Sequence, residues 1–216
     1  MSHPRTRIKV CGITRPEDAT HCAELGVDAL GFVFYEPSPR YVSPAAAAQI
    51  MRVLPPFMTR VGLFVNAPRD AVLAVLAEAQ LHLLQFHGDE DEAYCASFGR
   101  PYLKAARMKP GVDLLEFAAR FSSADAILCD AFVAGYGGAG KTFDWNLLPP
   151  AATLGRPLVL SGGLDQENVA AAIRQVRPAA VDVSSGVEAA KGIKDHAKLK
   201  AFVEKVREAD ESIRST

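Results

Sequence analysis

The sequence predicts an α/β fold in which eight strands alternate with helices and close into a single barrel. Three observations predict it. Short runs of β-branched and apolar residues recur along the chain, with helix-length segments between them. The 216 residues, 49% of them hydrophobic, match the span of about 200 to 250 residues that one α/β barrel uses. Two small-residue turns, Leu160-Ser161-Gly162-Gly163-Leu164 and Val181-Asp182-Val183-Ser184-Ser185-Gly186-Val187, close the last two apolar runs. Small residues at strand ends let backbone N–H groups approach an anion, and a following helix N-terminus adds positive dipole. Two such turns in succession suggest the phosphate site of a barrel enzyme.

The elements follow in order. Arg7 to Cys11 reads as the first strand, broken by Gly12, and Pro16 to Leu25 as a helix that Gly26 stops, with Thr14 as its expected N-cap. Ala29 to Phe34 is the second strand, and Pro37-Ser38-Pro39-Arg40 is a loop because proline cannot continue it. Ser43 caps a helix opening at Pro44 and running to about Leu54, where Pro55-Pro56 ends it. Arg60 to Val65 is the third strand, followed by a helix from Pro68 to Gln80. Leu83 to His87 is the fourth, followed by Glu90 to Phe98. Tyr102 to Arg107 and Ala126 to Asp130 are the fifth and sixth strands, with a helix from Val112 to Phe121 between them. Trp145 to Leu154 is a weak helix because it contains Pro149-Pro150. Pro157 to Leu160 is the seventh strand, Gln166 to Gln175 a helix, Ala179 to Val183 the eighth strand and Lys194 to Ala209 an amphipathic closing helix. A doubly wound open sheet is the alternative, but it usually has fewer strands, and no Gly-x-Gly-x-x-Gly follows the first one. No linker divides the chain, so residues 1–216 are expected to form one catalytic barrel.

The balance of 24 basic against 25 acidic residues gives a net charge of −1, which argues against nucleic acid or an anionic membrane as partner. No segment approaches the roughly 18 apolar residues of a membrane span, and Met1 to Val10 has no apolar signal core, so a cytoplasmic location is expected. Cys11, Cys22, Cys95 and Cys129 form no Cys-x-x-Cys pair and fit no zinc spacing, which reads as free thiols in a reducing compartment. His21 and His196 fall on helix faces expected to be solvated. His82 and His87 fall on opposite faces of a strand start, so no metal site is expected.

In such barrels the chemistry sits at the C-terminal ends of the strands. The polar residues there are Cys11, Arg40, Asn66, Gln85, His87, Arg107, Asp130 and the two turns. Cys11 and Asp130, on strands one and six, can face each other across the mouth. A thiolate and a carboxylic acid on opposite sides of a bound sugar serve as base and acid in one turnover. That requires a lowered cysteine pKa, for which Lys9 or a backbone dipole is at hand, and a raised aspartate pKa from an apolar wall. Taken singly, these residues have plainer readings. Cys11 is a packed core thiol, Asp130 caps a turn, Gln85 and His87 satisfy each other or backbone groups, and Arg40 is a solvated loop charge. Gly135 to Thr142 matches Gly-x-x-x-x-Gly-Lys-Thr, but Phe143-Asp144-Trp145 is a poor helix start. Residues 132–143 therefore read as a mobile lid rather than a nucleotide loop.

An ordered set of motifs adds a resemblance. Lys9-Val10-Cys11-Gly12-Ile13-Thr14, Gly31-Phe32-Val33-Phe34, Ser38-Pro39-Arg40-Tyr41-Val42, Gly62-Leu63-Phe64-Val65-Asn66, Leu84-Gln85-Phe86-His87-Gly88 and the two turns through Glu188 resemble the phosphoribosylanthranilate isomerase family. The similarity runs from about residue 7 to 206. Phe86 stands where the family usually has leucine, and residues 208–216 extend past the expected end. The resemblance implies a monodomain TIM barrel that performs an Amadori rearrangement of a phosphosugar without a cofactor. It implies Cys11 as general base, Asp130 as general acid and Arg40 as a bidentate anchor for the anthranilate carboxylate. Gln85 and His87 are expected to contact the substrate, and Gly162, Gly163, Asp182, Ser184 and Ser185 to hold the phosphate. It leaves assembly open between monomer and dimer. Cys11 in the first-strand position argues against the related phosphosugar barrels, indoleglycerol-phosphate synthase and the histidine-pathway isomerases.

Overall fold

The computed structural model describes residues 5–132 and 142–215. Eight parallel strands pair in chain order and close into a barrel. They are β1 (Arg7–Cys11), β2 (Ala29–Val33), β3 (Thr59–Phe64), β4 (Leu83–Phe86), β5 (Tyr102–Met108), β6 (Ala126–Ala131), β7 (Leu158–Leu160) and β8 (Ala180–Val183). The ring is sealed by β1 and β8, in register from Arg7↔Ala180 to Val10↔Val183. Outside lie α1 (Pro16–Glu24), α2 (Pro44–Met51), α3 (Arg69–Glu78), α4 (Glu92–Ala96), α5 (Leu114–Arg120), α6 (Val169–Val176) and α7 (His196–Arg214). No described helix is long and apolar enough to cross a membrane.

The side-chain period of two along each strand decides what faces in. On β6, Ala126 and Leu128 join Leu103, Ala105 and Val159 in a plug inside the barrel, while Ile127 and Cys129 pack outward. Asp130 is next in the inward series. On β1, Ile8 and Val10 face the helices, which leaves Lys9 and Cys11 pointing in. Every described cysteine is buried and unpaired.

Most helix starts follow their caps. Ser43 Oγ accepts from Ala46 N at 3.2 Å, as expected. The start of α1 differs: Arg15 holds the N-cap position without a side-chain bond, while Thr14 Oγ1 donates to Gly192 O. The segment expected as one helix from Trp145 is two 3-10 turns, Trp145–Leu147 and Ala151–Leu154, split by the prolines. Lys194 does not open the last helix. Asp195 caps it, accepting from Ala197 N and Lys198 N. Lys194 instead ends a small hairpin of β9 (Glu188–Ala190) and β10 (Ile193–Lys194). His21 and His196 are not merely solvated: their rings stack at 4.2 Å, and His196 Nε2 lies 3.0 Å from the buried Asp18 carboxylate.

Candidate active site

All ten residues singled out from the sequence as catalytic or binding line one cavity at the C-terminal mouth. Asn66 and Arg107, also read as mouth residues, lie outside its lining. Asn66 adopts φ +49 and its Oδ1 accepts from Asp89 N, while Arg107 reaches Asp89 and lies over Phe132.

Cys11 ends β1 beside Gly31 of β2. A Cβ at position 31 would come within 2.7 Å of the Cys11 sulfur, so only glycine leaves the thiol its place. The Cys11 carbonyl is pinned by Lys194 Nζ at 2.7 Å and Ser184 Oγ at 3.0 Å. Burial pushes the thiol pKa up. Lys9 and Lys194 pull it down, but burial prevails, so the expected lowering by Lys9 is not met in the unliganded site.

Asp130 faces the cavity from β6. Its Oδ1 accepts from Ala131 N at 2.9 Å, and its Oδ2 lies 3.0 Å from His87 Nε2. Gln85 Nε2 lies 3.0 Å from His87 Nδ1, which makes a chain Gln85–His87–Asp130. Gln85 and His87 do pair, as the plain reading has it, and the chain extends to Asp130, but the buried Gln85 Oε1 has no partner among the described residues.

Arg40 is not a solvated charge. It is 7% exposed, and its Nε and Nη2 grip Glu188 at 2.8 and 2.7 Å. Lys194 Nζ reaches the same carboxylate at 3.0 Å. Burial raises the Glu188 pKa, but the bonds from Arg40 and the charge of Lys194 hold it below the usual carboxylate range. One edge of the Arg40 fork is thus taken by protein, which leaves Nη1 and the outer face of Nη2 for a ligand.

Asp182 departs from its expected place in a phosphate cradle. Its Oδ1 accepts from Lys9 Nζ at 2.9 Å, and both side chains are 5% exposed. A carboxylate offers no donor to a phosphate and repels it. Gly162, Gly163, Ser184 and Ser185 remain. Gly162 has φ +84, and any side chain there would collide with Ala131 N. Among the described residues, the Gly162 and Gly163 amides donate to no acceptor. Residues 133–141, and with them most of the expected lid, lie outside the described residues.

Sequence reasoning did not single out Glu188, Lys194 or Gly31. Glu188 was present in the last motif, but its link to Arg40 spans 148 positions. Asp195 as a helix cap was the available signal that Lys194 precedes the helix.

A closed parallel barrel with polar side chains gathered in one cavity at its C-terminal mouth defines an enzyme of the barrel class. Residues 8–205 match the family model "N-(5'phosphoribosyl)anthranilate (PRA) isomerase", and the chain belongs to that family. The isomerase of that name from Dechloromonas aromatica is 59% identical over 209 residues, covering 97% of this chain and 100% of the relative. That from Methylibium petroleiphilum is 60% identical over 206 residues, covering 95% and 96%. The crystal structure of the Thermotoga maritima isomerase superposes with a TM-score of 0.87 at 45% identity, covering 94% of this chain and 99% of that one. Another structure, at 42% identity and TM-score 0.84 with the same coverage, is of a phosphoribosyl anthranilate isomerase in complex with reduced 1-(o-carboxyphenylamino)-1-deoxyribulose 5-phosphate. The activity is the Amadori isomerisation of N-(5'-phosphoribosyl)anthranilate in tryptophan biosynthesis.

Proposed function

We propose that Cys11 is the general base and Asp130 the general acid of this isomerisation. The observation that carries the reading is their placement on β1 and β6 around one cavity, with the glycine-serine turns of β7 and β8 between them. Asp130 protonates the furanose ring oxygen as the C1′–O bond breaks, and the anilino nitrogen closes the C1′=N⁺ double bond. Cys11, as thiolate, removes the C2′ proton. The resulting enolamine tautomerises to the ketone, 1-(2-carboxyphenylamino)-1-deoxyribulose 5-phosphate. Only protons move, so the chemistry asks for no cofactor.

Binding follows the substrate's two charged ends. The free Gly162 and Gly163 amides, with Ser184 and Ser185, hold the phosphate. Arg40, backed by Glu188, holds the carboxylate through its open edge. Fixing both ends orients C2′ and the ring oxygen between base and acid. Residues 1–216 form one catalytic barrel that works in the cytoplasm as a monomer. A solved Thermotoga maritima relative is described as dimeric, and sedimentation of the purified chain decides between the two states.

Loss of substrate fluorescence gives the rate. Cys11→Ala and Asp130→Asn are each expected to lower kcat by about 10²–10⁴-fold, the usual contribution of a general acid or base. Near wild-type turnover in both variants sinks the assignment. Calorimetric binding of phosphoribosylanthranilate by the wild-type chain without turnover would make it a binding protein instead.

A further inference from the structure

The reaction needs a thiolate at Cys11, yet the scheme gives no task to two buried charges beside that thiol. Lys9 and Asp182 are register partners across the β1–β8 ladder. Lys9 Nζ donates to Asp182 Oδ1 at 2.9 Å. The same ammonium stands close to the thiol, and its charge pulls the thiol pKa down. A carbon built on Gly31 would lie 2.7 Å from Cys11 Sγ and 3.2 Å from Lys9 Nζ, so both atoms converge on the hollow over that glycine. One cation therefore stands between two acids, inside a barrel where an unpaired charge is costly.

A single buried ammonium balances one anion. With Asp182 ionised, a thiolate would add a second negative charge. Burial holds the thiol pKa up, and the Asp182 charge adds to the rise. Burial also raises the Asp182 carboxyl, against the pull of Lys9. The other charges around the thiol have partners of their own, although Lys194 also donates to the Cys11 carbonyl and its charge pulls the thiol pKa down. Lys194 from β10 and Arg40 from the loop after β2 share Glu188, and Asp130 on β6 is joined to His87 beyond β4.

We propose that Lys9 and Asp182 are positioning residues that switch Cys11 on, with Lys9 shared between two anions: Asp182 at rest, the Cys11 thiolate in turnover. The Sγ–H bond breaks as its proton passes to Lys9 Nζ, while Nζ gives one of its own to Asp182 Oδ1. Thiol, ammonium and carboxylate become thiolate, ammonium and carboxylic acid. The net charge of the buried cluster does not change, which is why the transfer is affordable away from water.

The inference rests on Cys11 being the base, so its test reads the thiolate without turnover. The measurement is the rate of Cys11 alkylation by iodoacetamide at neutral pH, mapped by mass spectrometry. Thiolate ultraviolet absorbance, with Cys11→Ala as blank, checks it. Asp182→Asn removes both the competing anion and the proton acceptor, so the alkylation rate is expected to rise about tenfold, the equivalent of one pKa unit, with the proton leaving to solvent, while kcat falls at least about tenfold. Lys9→Met is expected to lower it below wild type and to cut kcat at least about tenfold with KM within about threefold. An unchanged or slower rate in Asp182→Asn overturns the proposal, as does a faster one in Lys9→Met. Should Lys9→Met fail to fold, the Asp182→Asn comparison decides alone. If Cys11→Ala keeps its turnover while the alkylation rates shift as expected, the base assignment fails and the shared cation stands. If Cys11→Ala is inactive and the rates do not shift, the reverse holds.

Discussion

Lys104–Glu90 and Lys9–Asp182 are two lysine–carboxylate pairs buried to nearly the same depth, one outside the strands and one inside. The first spans 2.7 Å with side chains 2% and 4% exposed, the second 2.9 Å with 5% each. Their surroundings differ. Glu90 Oε1 accepts from Asn66 N, Oε2 accepts from Gly88 N and Lys104 Nζ, and Lys104 also donates to Gly88 O. That pair ties the ends of β3 and β4 to β5. Among the described residues, Asp182 has Lys9 as its sole hydrogen-bond partner, and its carboxylate borders the cavity. Depth alone does not tell a clamp from a working pair; the number of committed partners does.

Breaking the outer pair tests this with the largest effect. Glu90→Ala leaves Lys104 unpaired and is expected to cost about 3–5 kcal/mol in urea denaturation, with kcat per folded molecule kept. The inner pair answers differently to removal of both charges. The double variant Lys9→Met, Asp182→Leu is expected to keep its stability or gain about 1–4 kcal/mol, as when buried ion pairs are replaced by apolar residues, while losing turnover. Gly31→Ala pushes a methyl toward the sulfur and is expected to cost about 1–3 kcal/mol through overpacking, with an added fall in kcat.

The smallest effect is on pH dependence. Glu188 and Asp18 ionise below their ordinary values of 4.5 and 3.8, each despite burial, through their bonds to Arg40 and Arg15. The stability they contribute is full above those values and is lost as pH falls through the lower folded-state ones. Asp182, raised by burial, works with the opposite sign: its contribution is full below 3.8 and is lost as pH rises. Denaturation midpoints from neutral to acid pH are expected to fall in the wild type. In Asp182→Asn they are expected to fall more steeply, because the opposing contribution is gone.

The barrel was legible because its punctuation is local. Gly12, Gly26, Pro55-Pro56 and Gly88 end elements by backbone restriction, and the apolar period sets the faces. Cys11 and Asp130 were legible because strand ends aim at the mouth. What stayed hidden depends on distance. Arg40 looked like a loop charge because its partner Glu188 lies far along the chain. Lys194 looked like the start of a helix because strands of two and three residues carry no alternation. The thiol's raised pKa depends on how deeply the closed barrel buries it, a quantity no stretch of sequence contains.

The carbonyl of Cys11 is held by Ser184 and Lys194, both contributed after β8 begins, and Thr6 is clasped by Asp210 near the other terminus. Cys11 therefore stands at the seam where β1 meets β8. The residues that fasten Cys11 lie 173 and 183 positions further along the chain, so the ribosome makes β1 long before its fastening. Activity thus reports completed ring closure. Loss of the segment that carries Ser184 and Lys194 therefore releases Cys11 from across the seam.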